Sequence, residues 1–204
     1  MIQNIVTSII LYSGTAVDLL IILMLFFAKR KSRKDIINIY LGQFLGSVSL
    51  IFLSLLFAFV LNYIPSKEIL GLLGLIPIFL GLKVLLLGDS DGEAIAKDGL
   101  RKDNKNLIFL VAMITFASCG ADNIGVFVPY FTTLNLANLI VALFTFLVMI
   151  YLLVFSAQKL AQVPSVGETL EKYSRWFIAV VYLGLGMYIL IENNSFDMLR
   201  TVFG

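Results

Sequence analysis

Two aspartates, Asp18 and Asp122, stand inside runs apolar enough to lie in hydrocarbon, and small or polar side chains bracket each of them. One segment reads Ser13-Gly14-Thr15-Ala16-Val17-Asp18, the other Ser118-Cys119-Gly120-Ala121-Asp122-Asn123. From Leu107 to Phe131 no residue but Asp122 carries a formal charge. About twenty apolar residues suffice to cross a bilayer core. A carboxylate at that depth costs roughly 2.5–3.5 kcal/mol, so it turns towards a partner or a wet cavity. Two carboxylates with a thiol and an amide oxygen nearby concentrate negative charge where water is scarce. A divalent cation answers that charge. Oxygen ligands with one soft sulfur suit Cd²⁺ or Zn²⁺ better than Mg²⁺ or Ca²⁺. The expected ligands are Asp18, Asp122, Cys119 and Asn123. Around them Ser13, Gly14, Thr15, Ser118 and Gly120 would let the helix unwind or another backbone approach.

Each of these residues also has a plainer reading. Either aspartate could be a structural hydrogen-bond partner of Ser49 or Gln43. Cys119 could be a small buried hydrophobe, and Asn123 or Ser118 a cap at a helix break. The stripe Phe127, Tyr130, Phe131 reads as lipid-facing or packing, and Gly42 with Gly46 as a GxxxG packing face. What favours chemistry at the aspartates is a weak internal repeat. Asp18 and Asp122 are 104 residues apart, and Gly81 and Gly184, in Phe79-Leu80-Gly81-Leu82 and Tyr182-Leu183-Gly184-Leu185, are 103 apart. One alignment therefore carries both matches.

The elements that must hold these residues are six apolar runs, about Ile5–Ala28, Ile36–Leu61, Ile69–Leu87, Leu107–Phe131, Leu134–Leu160 and Ser174–Ile191. Helices are the open-ended structure that satisfies its own backbone in lipid. The fold expected is an all-α membrane protein, one transmembrane domain over 1–204. Its repeat halves are about 5–87 and 107–192, joined by a linker 88–106. Each half has three helices, so the second enters from the opposite face, an inverted repeat with its site near the midplane. The very short connection after the fourth helix predicts a tight hairpin with the fifth. Twelve of the fifteen Lys and Arg residues fall in the loops after the first, third and fifth helices, against Lys67 and Arg200 on the other side. By the positive-inside rule those loops are cytoplasmic and both termini face outward. Lys83 reads as a snorkelling side chain.

Composition excludes much. The 204 residues are 60% hydrophobic and 14% charged, with mean hydropathy +0.98, where a soluble domain carries about a quarter charged. A net charge of +2 gives no reason to expect nucleic acid. There is no histidine, and a single cysteine cannot form an intramolecular disulfide or run a two-thiol electron relay. The start, MIQNIVTSII, lacks a basic leader region and reads as a retained helix. The acidic stretch Asp89, Asp91, Glu93 has its glycine in the wrong place for a calcium loop and reads as a solvated linker. No phosphate-binding loop occurs, so no enzyme and no cofactor are expected. The expected partners are divalent metal ions, protons and lipid, with a homo-oligomer left open. Without a nucleotide module, proton entry is the simplest source of work for metal export. Protons also replace the metal naturally, since two like charges held close in a low dielectric do not both stay ionised.

At these residues the chain resembles the cadmium resistance transporter CadD family, within the LysE superfamily of small exporters. The matching stretches are Thr15–Leu20 and Ala117–Asn123, with further matches at Leu70–Gly81, Phe127–Phe131 and Ser174-Arg175-Trp176. The resemblance covers nearly the whole chain. It implies a six-helix protein of the bacterial plasma membrane that lowers cytosolic Cd²⁺, with Zn²⁺ or another divalent ion as further cargo. The alternative within the superfamily is an exporter of amino acids or other small solutes. It would need an intramembrane cation for the substrate carboxylate, and none is well placed.

Overall fold

The computed structural model describes residues 2–29, 32–61, 70–87 and 106–193. Among these the chain is helical throughout, with no strand. Helix α1 runs Ile2–Lys29, α2 Arg33–Leu61, α3 Leu75–Leu87, α4 Leu107–Thr132, α5 Leu136–Leu160 and α6 Pro164–Glu192. The linker 88–105 with its acidic stretch lies outside the described residues, as do half of the twelve loop cations, Lys67 and Arg200. Helix starts follow local chemistry. The Ser32 hydroxyl accepts from the Asp35 amide, Asn106 Oδ1 from Phe109 and Asn135 Oδ1 from Asn138, each satisfying a donor that the helix leaves open. Proline in the first turn opens α6, where its missing amide costs nothing.

Five of the described helices are long and apolar enough to cross a membrane. The third expected span, Ile69–Leu87, is helical over its described residues, 70–87, though not as one unbroken α-helix. A 3₁₀ turn, Leu72–Gly74, leads into the 13 residues of α3, about 20 Å of α-helix. Helix α6 begins ten residues ahead of the expected Ser174, and its apolar part is Arg175–Glu192. Lys83 is exposed, as a snorkelling side chain would be. The Arg175 guanidinium donates to the Leu85 carbonyl and ties α6 to the end of α3.

The hairpin expected of α4 and α5 has its short connection, with Phe127, Tyr130 and Phe131 of α4 against Phe146 of α5 near it. The main pairings are others: α4 packs along α2, α5 along α1, and α3 along α6. Glycine on α2 explains the strongest of these pairings. A Cβ added at Gly42 would lie 2.6 Å from the Ile108 carbonyl, and one at Gly46 2.8 Å from Thr115 Cβ, so α4 approaches as only hydrogen permits. Gly74 and Gly186 do the same for α3 and α6, where an added Cβ would meet the other's carbonyl at 2.7 and 2.4 Å.

Two apolar clusters fill the interior. One joins Leu11, Tyr12, Val126, Phe127, Phe131 and Phe146. The other gathers Phe26, Phe27, Ile39, Leu107, Val111 and Ala157 at the opposite end of α1. Phe127, Tyr130 and Phe131 are buried and stack on Phe146, so this stripe packs inward.

Candidate metal-ion site

Printed contacts set the register of α1 against α4. Tyr130 Oη donates to Asn4 Oδ1 at 2.6 Å, which leaves Ser8 Oγ, 2.8 Å away, to donate to Tyr130. Further along, Tyr12, Thr15 and Leu19 share one small cavity with Phe127 and Asn123. Numbers rise on one helix as they fall on the other, so the helices are antiparallel. Asp18 lies eleven residues from the end of α1 and Asp122 ten from the end of α4, roughly 16 and 15 Å. Both lie well inside their helices by that measure.

The middle of the α1–α4 contact is neutral. Tyr12, Thr15, Ala16, Leu19, Asn123 and Phe127 occupy it with Ser47, Leu50 and Ile51 of α2. Asp18 is one turn from Gly14, the glycine approached by Val181 of α6. Asp122 is one turn from Gly125, approached by Leu80 and Ile76 of α3. Both aspartates are half-buried. Among the described residues no three His, Cys, Asp or Glu side chains are grouped closely enough to hold a metal ion. In this conformation, then, Asp18, Asp122 and Cys119 do not converge as a three-ligand cluster.

The remaining expected residues separate by role. Cys119 is 2% exposed and Asn123 4%, both on the inner face of α4. Thr15 is buried and its hydroxyl donates to the Tyr12 carbonyl at 3.2 Å. Ser13 lines a second, wider cleft between α1, α5 and α6. The Ser118 hydroxyl is buried and has no hydrogen-bond partner among the described residues. Of the two roles expected at Gly14 and Gly120, unwinding is not taken up, since α1 and α4 run unbroken through both, whereas close approach is, at Gly14 by Val181 of α6. A continuous helix keeps its backbone bonded where water is scarce. The residue that does remove a backbone donor in α4 is Pro129, which leaves the Gly125 carbonyl without its usual partner.

Gln43 Nε2 donates to Ser47 Oγ at 2.8 Å, and Gln43 Oε1 accepts from Thr115 Oγ1 at 2.6 Å. Ser49 is exposed on the outer face of α2. Sequence reasoning missed Tyr12 and Ser47. Tyr12 is 3% exposed, and its hydroxyl faces Ser47 without completing a hydrogen bond among the described residues. The available signal was a tyrosine near the middle of an apolar helix, since a buried phenol normally finds a partner.

Helices of this length, with an apolar exterior and a polar layer at mid-depth, define a multi-pass membrane protein. The chain belongs to the cadmium resistance transporter family, whose model matches residues 12–202 and so includes both aspartate segments. Comparison with curated proteins and with solved structures finds no significant match. The family is one of transporters, and its description points to metal-ion efflux.

Proposed function

We propose that the chain exports divalent heavy-metal cations, Cd²⁺ and by the same chemistry Zn²⁺, from the bacterial cytoplasm in exchange for protons. The observation that carries this reading is a pair of aspartates, Asp18 and Asp122, well inside two antiparallel helices of a cadmium resistance transporter. Asp18 and Asp122 hold the ion's charge, with Asn123 and Cys119 as further donors. Two halves of opposite orientation fit the packing, because α2 against α4 and α5 against α1 are counterparts when the halves are exchanged. Both termini then face outward, and the loops rich in Lys and Arg lie inside.

Each end of the α1–α4 contact is closed in this conformation. The Asn4–Ser8–Tyr130 hydrogen bonds close one, and the cluster around Phe26, Phe27 and Leu107 closes the other. Transport opens them alternately. The halves tilt, bringing the carboxylates onto the ion, and protons take its place after release. Moving a divalent cation out against an inside-negative potential costs roughly 4.6 kcal/mol per 100 mV, which proton entry offsets. The test is metal-driven proton flux in proteoliposomes. Asp18→Asn and Asp122→Asn should each abolish it, and flux at the wild-type rate in both variants rejects the scheme.

A further inference from the structure

Helices α5 and α6 both lie against α1 and scarcely touch each other, so a cleft of about 260 Å³ runs between them with α1 as its floor. Tyr12, Ala16 and Leu20 belong to that floor, one turn apart along a single face of α1. Met149, Leu153 and Ser156 form the α5 wall, and Phe177 stands opposite on α6. Helices α1 and α5 run parallel, since Asn4 bonds Asn138 and Tyr12 packs on Phe146. The cleft therefore points towards the end of α5, which carries Lys159 in its last turn.

Along α5 the chemistry changes in order. Lys159 is exposed one turn past Ser156, its Nζ 5.6 Å from the centre of the Phe155 ring. Ser156 brings an exposed hydroxyl to the mouth of the cleft, and the apolar Leu153 and Met149 follow. Met149 is eleven residues from the end of α5, roughly 16 Å, about half of a 30 Å hydrocarbon core. Cation, hydroxyl and apolar trough, in that order and over that depth, match the phosphate, ester and acyl chain of a phospholipid. The α1–α6 cleft of about 280 Å³ has no such gradient, because no Lys or Arg lies within one turn of any residue lining it.

We propose that the α1–α5–α6 cleft binds one anionic phospholipid of the cytoplasmic leaflet, its phosphate on Lys159, an ester oxygen on Ser156 and one acyl chain in the trough. Basic pockets between transmembrane helices on the cytoplasmic side are suited to anionic headgroups. A helix of a second copy, about 10 Å across, would need several times the volume of this cleft. A single acyl chain does not. It covers the face of α1 that α5 and α6 leave open, so the helix carrying Asp18 is braced by lipid. Only the cytoplasmic placement of the end of α5 is taken from the transport reading; the cargo plays no part.

The test uses the full-length protein in detergent, with phosphatidylglycerol and phosphatidylcholine of the same acyl chains as probes and native mass spectrometry as the readout. Wild type should hold phosphatidylglycerol about fivefold more tightly, the preference of one cation for an anionic headgroup. Lys159→Gln should abolish that preference. Lys34→Gln, exposed at the start of α2 and outside the cleft, should keep it. Ser156→Phe fills the trough and should weaken both lipids about tenfold, the loss of two buried methylenes. Inorganic phosphate should displace neither lipid, because the acyl chain supplies most of the binding.

Equal retention of the two lipids by wild type overturns the proposal. So does an equal loss of preference in Lys159→Gln and Lys34→Gln, which is a general surface-charge effect. Unchanged retention in Ser156→Phe puts the acyl chain elsewhere, and displacement by inorganic phosphate reduces the site to one for a bare anion; either result rejects it. A dimer that Ser156→Phe dissociates gives the cleft to a second copy and rejects it too. None of these outcomes involves Cd²⁺, so the lipid site can fall while the transport reading stands, and the aspartate tests can fail without touching the lipid site.

Discussion

Gly14 and Gly120 occupy comparable places near the two aspartates, yet their surroundings differ. A Cβ at Gly14 would sit 2.5 Å from Val181 Cγ1, inside any allowed contact, whereas one at Gly120 would find its nearest neighbour, Leu50 Cδ2, at 3.5 Å. Gly14 is therefore a packing glycine for α6, and Gly120 leaves slack beside Cys119 and Asp122. Gly14→Ala should destabilise the protein by about 1–3 kcal/mol, the usual cost of overpacking. Gly120→Ala should leave the unfolding midpoint in detergent unchanged or higher, because alanine is the better helix former. Equal losses in both variants would contradict these packing assignments. The same scale separates the carboxylates from their neutral surroundings: nothing between Asp18 and Asp122 in the α1–α4 contact carries charge, so the Asp→Asn tests remove the site's formal charge at its source.

Among the elements, the decisive pairings run between the halves. Helix α4 leaves α5 after a three-residue connection and lies along α2, whose Gly42 and Gly46 admit it. Helix α1 is held at its start by polar side chains, since Asn4 Nδ2 also donates to the Asn138 carbonyl of α5 at 2.7 Å. Tyr130 thus sits in a buried cluster that fastens α1 to α4 and α5 at one end. Removing its hydroxyl strands Asn4 Oδ1 and Ser8. Tyr130→Phe should lower stability by about 1–3 kcal/mol, the cost of leaving buried polar groups unpaired. Hydrogen exchange should show the first two turns of α1 losing protection before the rest of the helix. If protection falls uniformly along α1, the cluster is not a local fastening.

At the scale of the molecule, the interleaving of α1 and α2 with α4 and α5 means that neither half buries its own apolar faces alone. Orientation is then a property of the whole bundle. Ser32 and Gln162 lie exposed in connections expected on the cytoplasmic side, and Asn135 in one expected outside. With Cys119 buried, Ser32→Cys and Gln162→Cys should react with an impermeant maleimide only in everted vesicles, and Asn135→Cys only in intact cells. Labelling of Ser32→Cys and Asn135→Cys from one face would break the assigned topology. The sequence alone determined where the long apolar helices lie and that Gly42 and Gly46 form a packing face. Those are local matters, because a chain in lipid must close its backbone bonds within each helix. Only the tertiary structure decided that α4 lies chiefly along α2, that Gly14 packs tightly while Gly120 does not, and that Tyr12 and Ser47 meet Asn123 around a cavity. Such neighbours depend on the register and close approach of helices far apart in the chain, and no repeat or spacing within one helix encodes them.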